Sequence, residues 1–387
     1  VYGSALVVSL ILNLDFFSSV VLLMTATVLY DYFGGLTAVV ISDVIQLALL
    51  LSAVVFSLFF IGDLIQWDFL VADRKQVLVD DWGVNGQDYG FWPMLIGGIF
   101  LYAAYYGCDQ SQAQRVLAAR NEAETAQVLL INGLCRFPVV LMYCFLGLGL
   151  AALAAVDPQI INNLPNTETG GKNLNLVFPT FVLAYFEPGF VGLIIVGLIA
   201  ASMSSIDSAL NSLSAVTVED FIRPLLAKNA PPKRLLLIGR ICTLTWGLFA
   251  VLFAFQVESI APTVLEAVNK VGSMANGPLL ALIGSAILLP PTSQVWALSG
   301  FVLGLLANVS VAWLLPEVSW LWWNVVGFCA TLFTILLGHL VIPPDHATSS
   351  QATSNVGSAI APPAYVRPAL VASFVVILSI CLLLQFW

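Results

Sequence analysis

Long apolar stretches alternate with short polar joints along the whole chain. A bilayer core is crossed by roughly twenty apolar residues of helix. Windows of that kind fall roughly at 1–14, 16–33, 37–61, 92–108, 126–154, 180–208, 234–256, 264–289, 294–315, 320–342 and 368–386. The first window is short, so the pattern predicts about ten complete transmembrane helices and one truncated helix. Gly34-Gly35 reads as a tight connection between the second and third windows. The segments 63–91 and 155–179 are long, polar and acidic, and 343–367 is a Pro/Ser/Ala/Thr-rich linker before the last helix. The apolar runs are too long, and too free of period-two alternation, for a transmembrane β-barrel.

Composition agrees. The chain is 60% hydrophobic and 9% charged, a balance that belongs to an all-α polytopic membrane protein rather than a soluble domain. The net charge of -9 says little about nucleic acid, because most acids lie between the spans. The expected surroundings are a lipid bilayer, with no nucleic-acid partner. Arg115, Arg120, Arg223, Lys228, Lys233, Arg234, Arg240 and Arg367 alternate onto one side, with Arg136 a short way into a span from it. Only Arg74, Lys75, Lys172 and Lys270 fall on or toward the other. The first side is therefore cytoplasmic, which predicts a multi-pass protein of the plasma (cell inner) membrane with its C-terminus extracellular or periplasmic. Trp92, Trp320, Trp322, Trp323 and Trp387 fall near predicted interfaces, as an aromatic belt requires. The N-x-S/T sequon at Asn308 lies inside a span. The six cysteines fall in or beside apolar spans, which argues against a disulfide framework or a zinc site. His339 and His346 are not placed with a nucleophile, and no phosphate-binding loop or metalloprotease motif occurs. Enzymatic activity is not expected.

The candidate chemistry sits inside the spans. Residues Ala201 to Ser214 read A-S-M-S-S-I-D-S-A-L-N-S-L-S. Ala201, Ser204, Ser205, Ser208, Asn211 and Ser212 share one helical face. Such a face is rich in oxygen and suits a hard alkali cation. Equally, membrane serines bond back to the carbonyl four residues earlier or let helices pack closely. Asp43 is an acid about two turns into an apolar helix, a placement that usually marks an ion or proton path; its alternative role is an interfacial acid bonded to a neighbouring helix end.

Four stretches together resemble the sodium:solute symporter family. The first is Gly34-Gly35-Leu36-Thr37-Ala38-Val39-Val40 with Ser42-Asp43-Val44-Ile45-Gln46. The second is Tyr105-Tyr106-Gly107-Cys108-Asp109-Gln110, running on to Gln114-Arg115-Val116-Leu117-Ala118-Ala119. The third is the serine-rich run. The fourth is Asn269-Lys270-Val271-Gly272-Ser273 with Gly277-Pro278. The resemblance covers essentially the whole chain. It implies a LeuT-type bundle of two inverted five-helix repeats, with solute and ions at the midplane. It also implies one transporter domain over 1–387, with core helices 3–10 in 1–290 and additional helices in 291–387. On this expectation the chain is N-terminally truncated, and the helices that include core helix 1 are absent.

Several site assignments follow from the resemblance. The carbonyl of Ala201 and the hydroxyls of Ser204 and Ser205 match the family's Na+ ligands on core helix 8. Asp43, Ser204, Asp207 and Ser208 match a second Na+ site found in some members, although a serine is expected where Asp207 stands. Two carboxylates there could hold a cation or share a proton. Tyr105 matches a tyrosine that lies against the solute and closes its exit, and Tyr102 is one turn earlier on the same face. The alternative for both is ordinary aromatic packing. Asp109, Gln110 and Arg115 suit a gate or a structural ion pair. Asn269 stands where sugar-transporting relatives carry a glutamine, and can bond a hydroxyl-rich solute or tie two helices. Sugar carriers also place a lysine three residues before a proline; here Cys135 precedes Pro138, which weakens a sugar assignment. The function implied is sodium-coupled import of a small polar solute: a sugar, polyol, sialic acid, carboxylate or vitamin. A symporter-like sensor domain of a signalling protein and a proton-coupled carrier remain alternatives; the oligomeric state stays open.

Overall fold

The structure, a computed structural model, describes residues 1–69, 81–83, 89–117, 119–167, 170–261, 263–290, 292–341 and 365–385. Arg74, Lys75, most of the linker 343–367 and Trp387 lie outside the described residues, as do the side chains of 33–42, Arg115 and Arg367. The first helices are α1 (Tyr2–Leu12), α2 (Phe16–Leu64), α3 (Gly98–Cys108), α4 (Gln110–Leu117), α5 (Glu122–Val156), α6 (Gln159–Asn162) and α7 (Val177–Tyr185). They are followed by α8 (Pro188–Val216), α9 (Arg223–Leu226), α10 (Pro232–Ala254), α11 (Val264–Leu288), α12 (Gln294–Leu314), α13 (Leu321–Val341) and α14 (Val366–Gln385). Two compact units divide the chain: Val1–Lys75 with Arg136–Ala267, and Gln76–Cys135 with Val268–Trp387.

In the first unit, α1 ends where Asn13 takes a left-handed conformation. Asp15 then caps α2, accepting from Ser18 N at 2.9 Å and Ser18 Oγ at 2.7 Å. The chain bends by 113° between them. Contrary to the expected break, α2 runs unbroken through Gly34-Gly35 for 49 residues. Each glycine costs about 1 kcal/mol in a helix. With no proline and with apolar residues on both sides, that cost does not stop propagation. The window 180–208 is also redrawn. Phe186 leaves the helix in an extended conformation, and Pro188 begins a new one at the position where its missing N–H costs nothing. The serine-rich run therefore fills the second half of α8. Phe181, Ile61, Val182 and Ile194 form the core of one apolar cluster in this unit, and Val20, Met24 and Leu210 that of another.

In the second unit, a π-helical turn over Pro93–Gly97 leads into α3. The bundle of α11, α12 and α13 is close-packed through small residues, as lipid-embedded helices require. A Cβ on Gly277 would stand 2.0 Å from the Asn324 carbonyl oxygen, and one on Gly304 2.1 Å from Thr331 Oγ1. Pro278 lies inside α11 and cannot donate to the Met274 carbonyl one turn back. Asn308 of α12 fills that vacancy: its Nδ2 donates to Met274 O at 2.8 Å. Trp320 and Trp323 are 5% and 6% exposed, packed with Leu101 and Met274. They are core residues of this unit rather than members of an interfacial belt.

Among the described residues, seven helices are long and apolar enough to cross a membrane, or eight if the bent α1–α2 pair counts as one span. The expected ten are not reached. The apolar helices at Pro93–Cys108, Leu174–Tyr185 and Pro368–Cys381 are shorter.

Candidate functional site

α8 presents Ser204, Asp207, Ser208, Asn211 and Ser214 along one face, and two of them reach α2. The Ser204 hydroxyl donates to Asp43 Oδ1. Asn211 Nδ2 donates to Asp31 Oδ1 at 2.5 Å. Position rises along α2 as it falls along α8, so the two helices run antiparallel. Between these contacts lies Asp207, fully buried, with neither carboxylate oxygen hydrogen-bonded. A bare carboxylate in that position costs several kcal/mol unless a cation or proton joins it.

The other serines behave differently. Ser205 Oγ donates to the Ala201 carbonyl at a long 3.4 Å. Ser208 Oγ donates to the Ser204 carbonyl at 2.9 Å. These are local bonds within the helix. Thus the residues expected together as one ligand set separate into two groups. Ala201 and Ser205 meet each other, whereas Ser204 turns to Asp43 and lies one turn from Asp207. Chemically, the second group is a hydroxyl and two carboxylates, an oxygen set matched to a hard cation.

Asp31 was not singled out from the sequence, although it carries the same signal as Asp43: an acid inside an apolar window. It is 5% exposed, and its Oδ2 has no hydrogen-bond partner.

Tyr102, Tyr105 and Asn269 belong to the second unit. The Tyr105 hydroxyl accepts from Gln112 Nε2 at 2.7 Å, and its ring meets that of Tyr106 edge-on at 5.2 Å. Tyr106 in turn donates to Asn132 Oδ1 at 3.2 Å. Tyr102, one turn earlier, is 48% exposed. Asp109 accepts from Ser111 N at 2.7 Å and caps α4, which gives it a structural task. Asn269 is half-buried on α11, one turn before Ser273. Ser273 itself is fully buried and accepts from Asn324 Nδ2 at 3.0 Å.

A half-buried acid and a serine thus join α2 to α8, and comparison with known proteins decides the family. The model of the sodium:solute symporter family matches residues 1–304. This chain belongs to the sodium:solute symporter family. Members of similar sequence include the sodium/iodide cotransporter of Homo sapiens, 27% identical over 320 residues, covering 81% of this chain and 48% of the relative. The sodium-coupled monocarboxylate transporter 1 of Mus musculus is 27% identical over 320 residues, covering 79% and 50%. The chain thus spans about half the length of these curated relatives. A solved structure of a Na+-coupled sialic acid symporter, substrate-bound and outward-open, superposes with a TM-score of 0.76 at 21% identity, covering 89% of this chain and 70% of that one. This chain has the same fold as that protein. The family and these relatives are transporters rather than enzymes.

Proposed function

We propose that this protein is a sodium-coupled secondary active symporter that imports a small polar organic solute by alternating access. The observation that carries this reading is the Ser204–Asp43 hydrogen bond between α8 and α2, next to the unpartnered carboxylate of Asp207. The relatives are named for sodium coupling, with iodide or monocarboxylate as solute. In this reading 1–387 is one LeuT-type inverted-repeat transporter domain. It lies in the plasma (cell inner) membrane with its C-terminus outside.

Sodium is a co-substrate here. Its first site uses the Ala201 carbonyl with the Ser204 and Ser205 hydroxyls; the long Ser205–Ala201 bond is readily exchanged for an ion. Its second uses Asp43, Ser204, Asp207 and Ser208. Ser204 belongs to both sets, so occupancy of one site alters the other. Tyr102, Tyr105 and Asn269 contact or gate the solute. Sodium then raises solute affinity, and solute raises sodium affinity by the same factor.

The test is radiolabelled uptake into proteoliposomes at equal pH on both sides, over a panel of sugars, polyols, sialic acid, monocarboxylates and vitamins. Accumulation with an inward sodium gradient and none with choline is the expected result. In a second arm without sodium, accumulation driven by an imposed inward pH gradient would replace this reading with proton coupling, which the two bare oxygens of Asp207 favour as second choice.

A further inference from the structure

The apolar helix α10 starts at Pro232 and carries an arginine, Arg240, inside its span. The residue stands about 12 Å along the axis from the helix start. A charge at that depth is costly, and membrane arginines almost always have a partner. Among the described residues Arg240 makes no ion pair or hydrogen bond. Its guanidinium lies over the Tyr32 ring, 4.6 Å from the centroid. That contact holds the plane of the group and satisfies none of its five N–H donors. Side chains on a helix lean toward its N-terminus. Here that is the end where Lys233 and Arg234 stand exposed, so the guanidinium reaches back toward the basic membrane face.

Arg240 and Tyr32 wall a cavity of about 640 Å³ between α2, α10 and the end of α8 with the π-helical turn Thr217–Ile222 that follows it. Along α10 the wall runs from Pro232 to Thr243, about 16 Å. Val218, Leu235 and Leu236 supply its apolar part. Leu236 is 60% exposed, so the groove opens sideways onto the surface that α10 turns to lipid. Two acids share the wall, and neither is left for Arg240. Glu219 pairs with Arg223 at 2.6 Å. Asp31 accepts from Asn211 Nδ2 at 2.5 Å and is turned into the interior, 5% exposed. Beside the groove, Phe221, Leu225 and Leu226 are exposed next to Arg223 and Lys228. Apolar and basic side chains mixed in this way suit an interface with anionic lipid.

We propose that this groove is a binding site for an anionic phospholipid. The Arg240 guanidinium is the phosphate ligand, offering two parallel N–H bonds to one phosphate. Tyr32 is the plate that holds it flat, and Val218, Leu235 and Leu236 lie along the start of an acyl chain. The apolar wall and its open flank favour a lipid over a free phosphate. The site needs a bilayer around α10 and does not depend on the sodium reading.

Native mass spectrometry of the full chain in detergent, titrated with phosphatidylglycerol or phosphatidylcholine, tests it. The wild type is expected to retain phosphatidylglycerol in preference to phosphatidylcholine, and Arg240→Gln to retain it about fivefold more weakly. Equal retention by the two proteins, or no preference between the lipids, overturns the site. Glycerol phosphate carries the phosphate without acyl chains and is expected not to displace the lipid. Displacement at comparable concentration would make the groove a free-phosphate site and overturn the lipid assignment. If Arg240→Gln does not fold, Arg240→Lys serves. It keeps the charge but loses the planar fork and the stack on Tyr32, so it must weaken retention as well; an unchanged titration overturns the proposal.

Discussion

The hydroxyl of Ser204 and the carboxylate of Asp43 are joined by a hydrogen bond across 161 residues of sequence. The hydroxyl proton is committed to Asp43, so the serine's lone pairs point elsewhere and remain able to coordinate. An ion that binds them also senses the carboxylate. In the proposed sodium site, one side chain would thereby link the charge state of α2 to ion occupancy on α8, the coupling that the symport reading calls for.

Ser204→Ala should raise the sodium concentration for half-maximal uptake while leaving the maximal rate at saturating sodium largely intact. Loss of one oxygen ligand worth about 1.4 kcal/mol corresponds to a tenfold shift. Sodium titration of uptake in proteoliposomes measures it. Unchanged sodium dependence in a correctly inserted Ser204→Ala/Ser205→Ala double variant would remove both hydroxyls from the ion site.

Asp207→Ser should make the sodium-free protein more stable. Both carboxylate oxygens are buried without partners, and an unsatisfied buried polar group costs about 1–3 kcal/mol. A serine can bond back within its own helix instead. The same change should shrink the stabilisation that sodium confers, because ligand binding stabilises only what it binds. Thermal unfolding in detergent, with sodium or with choline, gives both numbers. A lower melting temperature without sodium would mean that Asp207 has a native counter-ion.

Much of this was legible along the chain. The windows at 234–256 and 294–315 correspond to Pro232–Ala254 and Gln294–Leu314, since an uninterrupted apolar run is a strong signal. Ser204 and Asp43 were legible because polar oxygens inside such a run are costly and need a reason. Which oxygens meet was not legible. Ser204 turns to Asp43, while Ser205 and Ser208 bond within α8; neighbouring serines differ only in the direction each faces. Asp31 carried the same signal as Asp43, an acid inside an apolar window, and only its pairing with Asn211, 180 residues away, was illegible. Gly34-Gly35 misled because glycines that look like a turn are also tolerated in a helix supported along its length.

Asn308→Leu should destabilise the second unit despite adding apolar volume. Pro278 leaves the Met274 carbonyl without its helical donor, and Asn308 supplies one at 2.8 Å. Asn308 is fully buried, so no water replaces it. The expected loss is about 1–3 kcal/mol, read as a lower melting temperature and a broadened elution profile in detergent. Asn308→Leu combined with Pro278→Ala should recover part of it, because alanine restores the N–H that Met274 lacks. Failure of the second change to recover any stability would show that Asn308 acts through packing alone.

Raising the pH should loosen the segment around α7 through one phenol. The Tyr185 hydroxyl donates to Asp157 Oδ2 at 2.5 Å, and Tyr185 lies at the end of α7, outside the span that starts at Pro188. Burial, then the Asp157 bond and charge, push the phenol from 10.0 to about 12. The folded state thus holds the proton more tightly than the unfolded chain does. Its contribution to stability is complete below pH 10 and disappears as pH rises through 12. Tyr185→Phe should remove that dependence and lower stability at neutral pH. Tyrosinate absorbance, followed with protease accessibility of 157–187, reads both. A phenol that titrates at its ordinary value would mean that the bond to Asp157 is not held in solution.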